Sequence, residues 1–225
     1  RNAVEQVQAA FTLLGLGQLD ELIGSEAVGL GEAVWRTQTS MLVSAWIVDQ
    51  ALRDRGVRPS VVAGHSFGEY PAITAAGGWS ITDAIRAAIH RAEAIEQAAG
   101  ARGHMVATSA PIEVVEEVLQ PIPDAYVANF NSRDQIVLSG STAAMEQAAE
   151  SLTQRKQVAV KLNVPCPFHS PLLQPVAENL MRRLRTMPLQ ETTVPVVLTA
   201  SVGEMTTLDQ FLLILESQLV TKVDF

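Results

Sequence analysis

The strongest constraint on this chain is Gly64-His65-Ser66-Phe67-Gly68, a G-x-S-x-G between a short apolar run at 60–63 and a helix-forming run at 69–76. Apolar runs that do not alternate read as parallel central strands covered on both faces. Such a strand must turn sharply into the helix, which drives Ser66 toward strained backbone angles while the glycines make room for neighbouring chain. The Ser66 hydroxyl and the Phe67 amide then stand at the positive end of the helix, where a serine can act as nucleophile and a backbone N–H can stabilise an oxyanion. A plain Gly-Ser turn fits the pentapeptide alone; the strand before it and the helix after it favour the nucleophile.

The flanking periodicity predicts the frame. Met41, Leu42, Ala45, Val48 and Leu52 recur at helical spacing, so a helix packed on a sheet is expected over 37–55, ended by Gly56. The helix at 69–76 stops at Gly77-Gly78, and a second, capped by Ser80 with Asp83 three positions on, runs to Gly100. The first thirty residues carry Gly15, Gly17, Gly24, Gly29 and Gly31 and read as short helices and turns. Downstream come strand 105–108, helix 112–119, strands 125–128 and 135–139, helix 142–154 and strand 158–162. That βαββαβ order is the split-βαβ, ferredoxin-like unit. A small lobe at 104–164 is therefore expected inside a discontinuous α/β core at 1–103 and 165–225. The core resumes with helix 171–185, strand 194–198 and helix 208–219.

Composition removes several function classes. The 225 residues are 48% hydrophobic and 18% charged, which excludes disorder. Sixteen Lys and Arg against 24 Asp and Glu give a net charge of -8, with no basic stripe for nucleic acid. Cys166 is the single cysteine, so neither an intrachain disulfide nor a thiolate metal cluster is possible, and no metal is expected. No apolar run approaches the roughly 20 residues that span a bilayer, and no signal-peptide pattern opens the chain, so no membrane association and a cytoplasmic location are expected. A start at Arg1 and an end at Lys222-Val223-Asp224-Phe225 read as a piece of a longer chain.

A serine nucleophile needs a base. Of the four histidines, His65 adjoins the elbow, His90 lies on a helix among polar neighbours and His104 starts a strand. His169 sits in the rigid turn Pro167-Phe168-His169-Ser170-Pro171 at the junction of the two lobes, where an imidazole can be aimed into a cleft. Residues so placed more often cap or pack, and it is the Ser66 pattern that favours His169 as base. Arg91 falls at the edge of an apolar helix stripe, with Arg86, Glu93 and Gln97 on the opposite face. It can snorkel to a nearby carboxylate of the protein, or it can hold a substrate carboxylate bidentately.

Gly64-His65-Ser66-Phe67-Gly68-Glu69-Tyr70, Arg91, Asn131-Ser132 before Gln135-Ile136-Val137-Leu138-Ser139-Gly140, Pro167-Phe168-His169-Ser170 and Gln218-Leu219-Val220 share their order and spacing with one family. From about Thr37 to Phe225 the chain resembles the malonyl-CoA:acyl carrier protein transacylases and the acyltransferase domains of polyketide synthases. The resemblance implies an α/β-hydrolase-like core with a parallel central sheet and an inserted ferredoxin-like lobe. It implies Ser66 as acylated nucleophile, His169 as general base and Phe67 as backbone oxyanion donor. Arg91 becomes the clamp for a dicarboxylic acyl group and Phe168 a neighbour of that group. Gln218 orients the histidine through its backbone, and Asn131 borders the cleft with His65 in support.

The implied reaction is ping-pong transfer of malonyl from CoA to an acyl carrier protein, with the CoA thioester as substrate, no cofactor, and neighbouring synthase domains as partners. An acidic carrier would need a basic patch, for which Arg133, Arg155 and Lys156 are candidates. The family opens with a strand and a Gly-Gln-Gly type loop that gives a second oxyanion donor; no such motif precedes Thr37, and it is expected to have been trimmed away. Cys166-Pro167-Phe168 departs from the usual His-Ala-Phe of malonyl-selective synthase domains but keeps the phenylalanine. Two other readings compete: a serine acyl hydrolase, of an editing or patatin-like kind, and an inactive docking domain.

Overall fold

A computed structural model describes residues 2–23, 33–97, 103–199, 204–205 and 208–225. The chain opens with helix α1 (Ala3–Leu14), which starts where the Asn2 side chain accepts the Val4 N–H and ends at Gly15 with φ +71°. Helix α1 is longer than the sequence led us to expect, and it buries Val7, Ala10 and Phe11. A short α2 (Leu19–Ile23) precedes the long α3 (Val34–Asp54). Then come β1 (Val62–Gly64), the elbow, α4 (Glu69–Ala75) and α5 (Ile81–Gln97). Ser80 caps α5 as expected, its Oγ accepting the Asp83 N–H at 3.1 Å; the end of that predicted helix, at 98–100, lies outside the described residues.

Helix α3 corrects the sequence reading. Leu42 is buried together with Gln38, Thr39 and Val43, whereas Met41, Val48 and Leu52 are exposed. The buried face is turned about 100° from the Met41–Ala45–Val48–Leu52 stripe, one residue step around the helix. The reason lies in what α3 meets: it packs on α5, α4 and α1 rather than on a sheet.

The middle of the chain alternates as predicted, through β2 (Gly103–Thr108), α6 (Ile112–Leu119), β3 (Ala125–Ser132), β4 (Gln135–Ser141), α7 (Thr142–Gln154) and β5 (Val160–Lys161). Strands β5-β2-β4-β3 lie in that order, with every neighbouring pair antiparallel. Helices α6 and α7 bury Val115, Val118, Met145 and Leu152 against one sheet face with Val106, Ile136 and Leu138. Met105, Ala128 and Val137 form a second apolar cluster, packed with Leu162, Val164 and Phe168.

After a 3-10 turn at Pro171–Leu173 the chain forms α8 (Gln174–Leu184), β6 (Val196–Leu198), β7 (Glu204–Met205), α9 (Leu208–Ser217) and β8 (Val223–Asp224). Strand β6 pairs parallel with β1 and antiparallel with β7. Among the described residues this sheet is therefore mixed, with β1 at its edge rather than at its centre. Neither β7 nor β8 was legible as a strand in the sequence, because a two-residue pairing carries no periodicity. Strand β8 pairs parallel with β3, and the Asp224 N–H donates to Thr199 O at 3.2 Å, so the chain's last residues tie the two sheets together.

Candidate active site

The elbow forms as local sterics require. Strand β1 ends at Gly64, where a Cβ would collide with the backbone of Gly68 and Glu69. The chain then enters a 3-10 turn at Ser66–Gly68 with Ser66 held at φ +53°, the left-handed region that a non-glycine residue occupies at a cost. Two partners hold the strained peptide. The Ser66 N–H donates to Thr199 Oγ1 at 3.2 Å, and the Gln218 amide donates to Ser66 O at 2.9 Å.

His169 meets this serine from the far side of the chain. Ser66 Oγ and His169 Nε2 are 2.7 Å apart. The histidine also sits at a left-handed φ of +57°, in a turn braced by the Ser170 hydroxyl, which donates to Pro167 O at 2.7 Å. Its main-chain N–H donates to Leu219 O at 2.8 Å, and its Nδ1 lies 3.0 Å from Thr221 O. A carbonyl at Nδ1 fixes the proton there and leaves the Nε2 lone pair facing the hydroxyl. The closest carbonyl is that of Thr221, and the Gln218 backbone also contacts the ring. Burial pushes the imidazole pKa down to about 4, and the nearby Arg91 cation adds to the shift.

Arg91 projects from α5 into the same cleft and is only 2% exposed. Its guanidinium lies 5.4 Å from the Phe67 ring, 5.5 Å from Phe168 and 6.0 Å from Tyr70. No carboxylate pairs with it among the described residues, and its Nε has no hydrogen-bond partner. Burial lowers its pKa. Among the described residues, then, Arg91 neither snorkels to solvent nor forms an ion pair with a carboxylate of the protein.

The cleft, about 370 Å³, is lined by Ser66, Phe67, Arg91, Phe168 and His169 together with Gln38, Met105, Asn129, Asn131 and Val137. Seven of the sequence-selected residues thus come together at or beside it. His65 Nε2 lies 2.6 Å from Asn131 Oδ1, which bridges the elbow to β3 across the cleft. Gln218 is buried beneath the elbow.

The other two histidines lie apart from this group: His90 faces Glu93 at 3.8 Å, and His104 lies 3.1 Å from Lys161. Of the basic residues selected for carrier docking, Arg133 and Lys156 are exposed, whereas Arg155 is paired with Glu117 at 2.7 Å. Sequence reasoning missed Thr199, Thr221 and the side-chain role of Glu69; only Glu69, beside the elbow motif, had a signal to offer. Among the described residues no group of three or more ligating side chains could hold a metal, and no helix is long and apolar enough to cross a membrane.

Comparison with known proteins places this geometry. The family model described as "Acyl transferase domain" matches residues 2–225, so residues 2–36 belong to the resemblance as well. A malonyl CoA-acyl carrier protein transacylase of Bacillus subtilis is 32% identical over 217 residues, covering 90% of this chain and 68% of that protein. A non-reducing polyketide synthase of Aspergillus ustus is 30% identical over 208 residues, 89% of this chain but 10% of the synthase. A solved structure of a type II polyketide synthase acyl-carrier protein in complex with its malonyl-transacylase superposes with a TM-score of 0.91 at 27% identity, covering 99% of this chain and 74% of that one. With a family match over residues 2–225 and a serine–histidine pair at hydrogen-bonding distance on a strained elbow, the chain belongs to the acyl transferase family.

Proposed function

We propose that this chain transfers a malonyl group from CoA to the phosphopantetheine thiol of an acyl carrier protein. One observation carries the choice of acyl group: a buried guanidinium, with no carboxylate paired to it among the described residues, in the cleft that holds the serine–histidine pair. A desolvated cation is costly unless an anion meets it, and a planar fork suits a carboxylate. In this reading Ser66 Oγ attacks the thioester carbon while His169 Nε2 takes its proton. The oxyanion turns toward the Phe67 N–H, and the tetrahedral adduct collapses to malonyl-Ser66 as CoA leaves with the proton from His169. The carrier thiol then attacks the ester, with His169 again taking and returning the proton. The Thr221 carbonyl serves where a triad would place an aspartate, so the pair acts as a dyad.

The finer fold reading belongs to the same proposal: an α/β-hydrolase-like core at 1–103 and 165–225, with a ferredoxin-like lobe at 104–164. The antiparallel order β5-β2-β4-β3 and the parallel β1–β6 pair in front of the elbow support it. So does the cleft that the elbow shares with Met105 and Val137 of the five-stranded sheet.

Hydrolysis is the competing outcome for an acyl-serine. Arg91 favours transfer, since release of any acyl group to water gives a carboxylate clamp no purpose. A single turnover with malonyl-CoA and excess carrier protein separates the two. Most of the label is expected on the carrier, and predominant free malonate would reject transfer.

A further inference from the structure

We propose that Glu69 is a positioning residue that holds the strained Ser66 peptide from both sides, an inference that rests on reading Ser66 as the acylated nucleophile. The Glu69 side chain is fully buried. Its Oε1 accepts the Thr199 N–H at 2.7 Å and the Thr199 hydroxyl at 3.0 Å, and its Oε2 accepts the Gln218 amide at 2.7 Å. Each of those partners makes a second bond to Ser66. Thr199 Oγ1 accepts the serine N–H, and Gln218 Nε2 donates to the serine carbonyl.

The polarity of this arrangement matters. A carboxylate offers only acceptors. Facing it, the Thr199 hydroxyl must point its hydrogen at Glu69 and present a lone pair to the Ser66 N–H. The Gln218 amide must likewise turn its NH₂ inward, with one hydrogen for Glu69 and the other for Ser66 O. Glu69 thereby sets the sense of both clamps on a peptide whose φ of +53° is otherwise unfavourable. Gln218 also stands next to the segment whose Leu219 and Thr221 carbonyls hold His169. Nucleophile and base are therefore keyed to one buried carboxylate that touches neither the substrate nor the reacting atoms.

Glu69→Gln tests this with little change of shape: with its oxygen kept on the two Thr199 donors, its NH₂ faces the Gln218 amide and turns that amide away from Ser66 O. The readout is the rate at which a fluorophosphonate labels Ser66, which needs no acyl-CoA, alongside kcat and KM for malonyl-CoA and thermal melting. Glu69→Gln is expected to label about 100-fold more slowly, as for a displaced reacting group, with KM within about 3-fold because Arg91 is untouched. Combining it with Gln218→Glu remakes a bond between positions 69 and 218 but leaves Ser66 O without a donor. That double variant is expected to recover melting temperature and not labelling.

Parent-like labelling in Glu69→Gln, or recovery of both properties in the double variant, would overturn the proposal. If Glu69→Gln does not melt cooperatively, Thr199→Val carries the test. It keeps the Thr199 N–H on Glu69 and deletes the acceptor for the Ser66 N–H; labelling about 10-fold slower supports the clamp and unchanged labelling refutes it. A parent that labels at Ser66 but takes no malonyl from CoA would sink the functional reading alone, and the labelling rates would still judge the clamp.

Discussion

Arg91→Ala is expected to abolish most malonyl transfer while raising the relative acceptance of acetyl and longer neutral acyl groups. In the parent the guanidinium is buried among the Phe67, Phe168 and Tyr70 rings with no carboxylate paired to it among the described residues, and the proposed function supplies its partner with the substrate. Breaking a buried pair of this kind costs about 3 to 5 kcal/mol. Converted at 1.36 kcal/mol per decade, that is roughly 200- to 5,000-fold in kcat/KM. Phe168→Ser provides the contrast in size. Phe168 lines the cleft one residue before His169, and opening that space should relax discrimination against a methyl on the malonyl carbon by about 1 to 3 kcal/mol without removing the need for a carboxylate. Competition among malonyl-, methylmalonyl- and acetyl-CoA reads both effects, and an Arg91→Ala variant that keeps the parent's preference for malonyl over acetyl would place the carboxylate elsewhere.

His169→Ala is expected to lower acylation by about 100- to 10,000-fold, the range for removal of a positioned general base. Its pH dependence gives the role a second test. With the imidazole held down to about 4, the base is already free of its proton in mildly acidic solution. The acid limb of kcat/KM for malonyl-CoA should therefore fall well below the ordinary histidine value of about 6.5. Arg91→Ala removes one cause of the depression and should move that limb upward in its residual activity. Stability follows the same shift: above about 6.5 the histidine is neutral in both folded and unfolded chains, and as pH falls toward 4 only the unfolded chain gains the proton. The parent should lose roughly 3 kcal/mol across that window, and His169→Ala should lose correspondingly less. Chemical denaturation at pH 7 and at pH 4.5 measures the difference, and equal pH sensitivity in parent and variant would contradict the buried neutral histidine.

What the sequence disclosed and what it concealed follow from how far apart the interacting groups lie. The elbow was legible because strand, glycines, serine and helix are consecutive and the constraint is steric. The βαββαβ alternation was legible because each element carries its own period. The direction in which α3 faces was not, since its apolar positions occupy more than one face and its neighbours decide which is buried: Met41 and Val48 stay exposed while Leu42 and Val43 pack. The supports of the serine were hidden as well. Thr199 lies 133 residues from Ser66, and a glutamate in the first turn of a helix ordinarily signals only a favourable dipole interaction. Thr221 acts through its carbonyl, a group every residue possesses, so nothing in its identity marks it.

The most direct test of the account is mass spectrometry of the protein after brief exposure to malonyl-CoA without carrier. One added malonyl group is expected, mapped to the peptide containing Ser66, absent from Ser66→Ala and discharged when carrier protein is added. No adduct on the parent, or an adduct that survives Ser66→Ala, would contradict it.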